Sequence, residues 1–212
     1  MSAVRSQILL LYASISGAPL ERCHWDGLNA EERFRAAAIS DPAGRKRFVL
    51  GRHLLRTGFA LLCAGAPVPP LSVQEGKPAF LGNFSLDFSI SHSSNAVAVA
   101  LSSGGRVGID IERYIPLDPG TVSVVFSEAE LATFGRLAPR DAGHACLAGW
   151  VAKEASAKLL GCPKDLDVRQ LPAAAGEQCR IRNWTLDLDS ETYFACLAYE
   201  GEPDIILKKE SA

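Results

Sequence analysis

Gln7–Ser14 opens the chain as an apolar run that reads as a buried strand. Asn29 followed by Glu32 has capping-box spacing and starts a helix reaching about Ile39. Asp41-Pro42 pairs an N-cap with a proline at the first helical position. The helix it starts runs to about Cys63 and stops at Gly65, with Pro67, Pro69 and Pro70 beyond. Its polar face is basic: Arg45, Lys46, Arg47, Arg52 and Arg56. The pattern then becomes β: Leu86–Ser91, Ala96–Leu101 and Val107–Arg113, separated by Ser93-Ser94-Asn95 and by the turn from Ser102 to Gly105. Consecutive strands joined this tightly are expected to pair antiparallel. Ser127 with Glu130 makes a second capping box. A long helix around Asp141–Leu160 ends at Gly161, with Pro163 beyond. After an Ala- and Pro-rich loop, Cys179–Leu188 and Thr192–Glu200 read as a closing hairpin.

The order strand, helices, strands occurs twice. The expected fold class is therefore α+β, with a faint duplication carried by no residue-level repeat. The division falls near Gly104–Gly108, giving lobes 1–106 and 107–212 that share a tight interface. A chain of 212 residues, 48% hydrophobic, can fill two such cores. The run Ile8 to Tyr12 is too short to cross a bilayer and lacks signal-peptide flanks. The six cysteines are scattered with no C-x-x-C, as expected of free buried thiols in a reducing cytoplasm. A net charge of −2, basic residues gathered on one helix and no base-reading motif argue against nucleic acid as partner.

Val107-Gly108-Ile109-Asp110-Ile111-Glu112 alternates. On a strand, Val107, Ile109 and Ile111 face a core, while Gly108, Asp110 and Glu112 face the other way. Two carboxylates on one face repel each other unless a positive charge sits between them. A hard divalent cation is one solution, and a water-exposed polar face is the other. Gly108 removes bulk where a ligand could approach. Inside the long helix, Trp150, Glu154 and Lys158 are spaced four apart and share a stripe. Glu154 can bring a third carboxylate and Lys158 a charge for phosphate; a surface Glu–Lys pair is the plainer alternative. Ala152, Ala155, Ser156 and Ala157 around the stripe suit close packing. Ser91 and His92 end a strand, where hydroxyl and imidazole can donate to phosphate oxygens.

Together these pieces resemble the 4′-phosphopantetheinyl transferase superfamily. The resemblance rests on Val107 to Glu112, then Trp150 to Lys158 as W-x-x-K-E-A-x-x-K, supported by Gly76-Lys77-Pro78 and by Phe88-x-Ile-Ser-His. The length resembles the Sfp-type branch, whose fold is a pseudo-dimer of two α+β lobes with the site at their junction. The resemblance implies magnesium held by Asp110, Glu112 and Glu154, and pyrophosphate held by Lys158. It implies coenzyme A contacts from Lys77, Ser91 and His92, with Arg47, and less directly Arg35, near the 3′-phosphate. Ser89 stands where the family usually has asparagine.

The implied reaction moves 4′-phosphopantetheine from coenzyme A to a serine of an acyl or peptidyl carrier protein, releasing 3′,5′-ADP. A cytoplasmic monomer with no membrane partner is expected. Glu154 is the first candidate for the base that activates the serine. Glu130 is the second, with its capping-box role as the alternative. The rival readings are a metal-dependent phosphohydrolase acting on a nucleotide or coenzyme A, and a module that binds coenzyme A or a carrier without catalysis.

Overall fold

A computed structural model describes residues 6–16, 22–72, 77–82, 85–161, 166–171 and 179–210. The elements in chain order are β1 (Gln7–Ser14), α1 (Arg22–Asp26), α2 (Ala30–Ala38), α3 (Pro42–Leu62), β2 (Leu71–Ser72), β3 (Ala79–Phe80), β4 (Asp87–Ser93), β5 (Ala96–Ser102), β6 (Val107–Arg113), α4 (Pro119–Val125), α5 (Glu128–Phe134), α6 (Pro139–Leu159), β7 (Arg180–Leu188), β8 (Glu191–Tyr199) and β9 (Asp204–Lys209). The class is α+β, as the patterning predicts. Asn29 and Glu32 close the capping box of α2. Asp41 accepts from the amides of Ala43 and Gly44 at the start of α3. Among the described residues, no helix is long and apolar enough to cross a membrane.

Two sheets organise the molecule, one in the order β4-β5-β1-β9 and one in the order β6-β8-β7. They face each other across a core containing Ile8, Leu10 and Ala98 from the first sheet and Val107, Ile109, Ile111, Tyr193 and Leu197 from the second. α3 covers the outer face of the first sheet through Leu50, Leu54, Leu55 and Phe59. α6 covers the outer face of the second through Leu147, Val151, Ala152 and Ala155 against Cys196 and Ala198. The layers are thus helix, sheet, sheet, helix.

Four expectations change. β4 and β5 pair antiparallel as predicted, but β5 does not pair with β6. Both edges of β5 are already taken, by β4 and β1, so the turn at 102–105 hands the chain to the second sheet. β9, which the pattern does not predict, returns to pair parallel with β1. Of the cysteines, Cys23 and Cys162 fall outside the described side chains. The other four are free, but only Cys196 is buried; Cys63, Cys146 and Cys179 are half-buried.

Gly108 is the fourth correction. Its own position on β6 is not open to a ligand. A Cβ there would collide with the Ala155 carbonyl oxygen and the Leu159 amide nitrogen. The missing side chain lets the backbone of α6 lie directly on β6, which sets the distance between the strand and helix that carry the acidic residues.

Candidate active site

β4 and β6 are edge strands of different sheets, yet they run side by side and are joined by side chains. Asp87, Ser91 and Ser93 of β4 accept from the amides of Val107, Ile111 and Arg113, each 20 residues further along the chain. The constant offset makes the two strands parallel. Two of these side chains also reach the acids. Ser91 Oγ donates to Asp110 Oδ1 at 2.7 Å, and Ser93 Oγ donates to Glu112 Oε2 at 2.5 Å. Each hydroxyl therefore fixes one carboxylate while binding the amide of the next residue. Ser93 was not singled out from the sequence; its signal is the period-two series Ser89, Ser91, Ser93 opposite Asp110 and Glu112.

From the other side, α6 brings the Trp150, Glu154 and Lys158 stripe onto the same place. Lys158 Nζ donates to Asp110 Oδ1 at 2.6 Å and to Ser91 Oγ at 3.0 Å. Ser91, His92, Asp110, Glu112, Glu154 and Lys158 line one cavity of about 340 Å³, with Ile90 and Trp150 as its apolar wall. Burial pushes the Glu112 carboxyl above its ordinary range, and Asp110 and Glu154 add to the push against Ser93 and Lys158. Burial and Asp110 raise Glu154 as well. Three acids thus press on one another, with one ammonium among them.

Among the described residues, no group of three or more His, Cys, Asp or Glu side chains is gathered tightly enough to hold a metal ion as placed. The donor set nonetheless fits a hard cation. It is all oxygen and mutually repulsive, and Asp110 Oδ2 is buried without a hydrogen-bond partner.

His92, Ile90 and Lys158 also line a second cavity of about 280 Å³, with Arg47, Phe48, Gly51, Arg52, Lys77, Pro78 and Ser89. Arg47 donates to the Ser94 carbonyl and pairs with Asp41. Lys77 Nζ donates to Asp87 Oδ2 at 2.5 Å and to the Val107 carbonyl at 2.7 Å, tying the start of β4 to β6. An acidic cavity and a cationic one therefore share a wall.

The 4′-phosphopantetheinyl transferase superfamily model matches residues 106–203, which hold β6, α6 and the β7–β8 hairpin. The chain is 31% identical over 176 residues to the 4′-phosphopantetheinyl transferase AcpT of Salmonella typhimurium, covering 79% of this chain and 88% of that one. It is 29% identical over 161 residues to the protein of the same name from Escherichia coli, covering 73% and 80%. The chain belongs to the 4′-phosphopantetheinyl transferase superfamily. It is an enzyme of that class.

Two residues singled out from the sequence lie outside the linings of both transferase cavities. Arg35 pairs with Glu31 one turn away on α2. Glu130 accepts from the amide and hydroxyl of Ser127 at 2.8 and 2.9 Å, and pairs with Lys153 at 3.1 Å. Sequence reasoning gave Lys153 no role, yet it is fully buried. Its ammonium donates to the carbonyls of Val168, Arg169 and Leu171. Beside Glu154 in the chain, it anchors α6 to α5 and to the turn at 168–171. A buried lysine with this many acceptors fixes the rotation of α6, and so the direction in which the stripe faces.

Proposed function

We propose that this enzyme transfers the 4′-phosphopantetheine group of coenzyme A to a serine hydroxyl of an acyl or peptidyl carrier protein and releases 3′,5′-ADP. The supporting observation is the junction of an acidic cavity, lined by Asp110, Glu112, Glu154 and Lys158, with a cationic cavity lined by Arg47, Lys77 and His92. The first suits a cation and a pyrophosphate; the second suits the rest of a phosphorylated nucleotide. The division into lobes 1–106 and 107–212 and the Sfp-type pseudo-dimer belong to the same reading. In it, β9 is lent by the second lobe to the first sheet.

Asp110, Glu112 and Glu154 would hold magnesium, which when bound supplies charge stabilisation at the phosphoryl oxygens. Lys158 moves part of its hydrogen bonding from Asp110 to the pyrophosphate. Ser91 and His92 orient the phosphates from the end of β4. The carrier serine oxygen forms a bond to the β-phosphorus, and the bond from that phosphorus to the oxygen bridging the two phosphates breaks. The electron pair leaves on 3′,5′-ADP. The serine proton goes to a carboxylate, and Glu154 is the group proposed for it, because burial and Asp110 raise its pKa toward the working range of a base. Glu130, the second candidate, is already held by Ser127 and Lys153.

Mass spectrometry of apo-carrier proteins after incubation with enzyme, coenzyme A and magnesium tests the proposal. A gain of one phosphopantetheine on serine is expected, and Glu154→Gln is expected to abolish it without changing the melting temperature. Release of 3′,5′-ADP at full rate without any carrier would instead identify a phosphohydrolase.

A further inference from the structure

Ser93, whose hydroxyl holds Glu112, is the last residue of β4 and opens the turn into β5. The next residue, Ser94, has φ of 50°, in the left-handed region that serine seldom adopts. Backbone held there persists where its surroundings over-determine it. Three groups from outside the turn do so. Arg47 of α3 donates to the Ser94 carbonyl at 2.8 Å. The Ile15 amide, just beyond β1, donates to the Asn95 carbonyl at 2.8 Å. The Asn95 amide donates to the Tyr193 hydroxyl at 3.4 Å.

Of these three, Tyr193 alone belongs to the second sheet. It lies on β8 opposite Arg113 of β6. It is fully buried in the core between the sheets, the bulkiest such side chain among the described residues. Its hydroxyl donates to Glu191 Oε2 at 2.6 Å, and Arg113 Nη1 donates to Glu191 Oε1 at 2.9 Å. The Arg113 amide donates to Ser93 Oγ at 3.1 Å. A ring therefore closes from the turn at Ser93 and Asn95 through Tyr193, Glu191 and Arg113 back to Ser93. The Tyr193 hydroxyl both donates and accepts in it, so neither capacity is left open. A satisfied network of this kind makes the elements it joins rigid.

We propose that Tyr193 is a positioning residue for the metal: it pins the β4–β5 turn to the second sheet and so keeps Ser93 Oγ where it orients Glu112 for magnesium. This rests on the magnesium reading of the three acids. Tyr193 lines neither transferase cavity, so its effect passes through Ser93 and Glu112.

Calorimetric titration of the full chain with magnesium, with coenzyme A present and no carrier, measures this without turnover. Tyr193→Phe keeps the ring in the core and removes the hydroxyl. It is expected to weaken magnesium binding about tenfold, the scale for losing a partner that orients a metal ligand. Coenzyme A affinity in magnesium-free buffer should stay as in the unaltered protein, and saturating magnesium should bring the transfer rate back. Ser93→Ala should weaken magnesium binding by at least as much. The double variant should lose little more than Ser93→Ala alone, because both act on one carboxylate. Glu191→Ala removes the acceptor of the hydroxyl from the half-exposed end of the ring, and carries the same test should Tyr193→Phe not fold. Unchanged magnesium affinity in these ring variants, losses that add in the double variant, or an equal loss of coenzyme A affinity without metal would each overturn the proposal. Failure of the magnesium reading shows differently: the unaltered protein would take up no magnesium, and the proposal would fall with it.

Discussion

Lys158 Nζ sits 2.6 Å from Asp110 Oδ1 and bridges α6 to β6 at the most buried of the three acids. Without a ligand, this ammonium is the counter-charge of the cluster. In the proposed reaction it also meets the pyrophosphate, so it must share two anions. Removing it does two things at once. Transfer should slow by roughly 10²-fold, the scale seen when one preorganised charge-stabilising donor is lost. The protein without metal should also melt at a lower temperature, because Asp110 then has only Ser91 on that oxygen. Magnesium should restore more of the melting temperature in Lys158→Ala than it adds to the unaltered enzyme. Steady-state rates and melting curves with and without magnesium check both. Unchanged kinetics would return Lys158 to an ordinary surface ion pair.

Gly108 and Gly143 predict opposite outcomes for the same substitution. A Cβ at 108 would strike the backbone of α6 at Ala155 and Leu159, which cannot rotate aside as a side chain would. Gly108→Ala should therefore cost about 3 kcal/mol or more, at the upper end for overpacking. It should also cripple transfer, since it pushes Glu154 away from Asp110. Gly143, half-buried in the early part of α6, meets nothing within 4 Å. Gly143→Ala should stabilise by about 0.5–1 kcal/mol through helix propensity and unfolded-state entropy. Urea unfolding of the pair measures both. A harmless Gly108→Ala would mean that β6 and α6 are not held together by close backbone approach.

Local signals were legible in the sequence, and long-range placement was not. Both capping boxes and the Asp41-Pro42 start form as their spacing requires, because a cap is made within a few residues. β6 has the bounds its alternation indicates, and Trp150, Glu154 and Lys158 share a cavity because i,i+4 spacing is set by the helix itself. The partnership of β4 with β6 was hidden. It is made by serine and aspartate side chains crossing between edges of different sheets, and no periodicity encodes it. β9 was hidden for a related reason: a short apolar run at the end of the chain becomes a strand only because β1 offers it an edge. Lys153 looked like any charged residue in a helix, since its acceptors come from a turn at 168–171. Arg35, which the resemblance pointed at the coenzyme, pairs with Glu31 on α2, while Arg52 lines the cationic cavity.

Glu130 provides a pH test of the anchor that holds α6. Burial alone would raise its carboxyl, but the Ser127 amide and hydroxyl and the Lys153 ammonium outweigh burial and hold it below the ordinary value of 4.5. A carboxyl depressed on folding contributes stability that is present above its unfolded pKa. That contribution is lost as pH falls through the lower folded value. Glu130→Gln keeps an acceptor for Ser127 but removes the charge facing buried Lys153, and should cost about 1–3 kcal/mol at neutral pH. The gap between the two proteins should stay constant from neutral pH down to near 4.5, then close in more acidic buffer as Glu130 itself protonates. Thermal unfolding of both proteins across that range measures it. A gap that persists at the acidic end would mean that the Glu130–Lys153 charge pair is not what secures α5 to α6. Glu130→Gln should lower the transfer rate far less than Glu154→Gln, because it acts on the helix that carries the acid and not on the substrate.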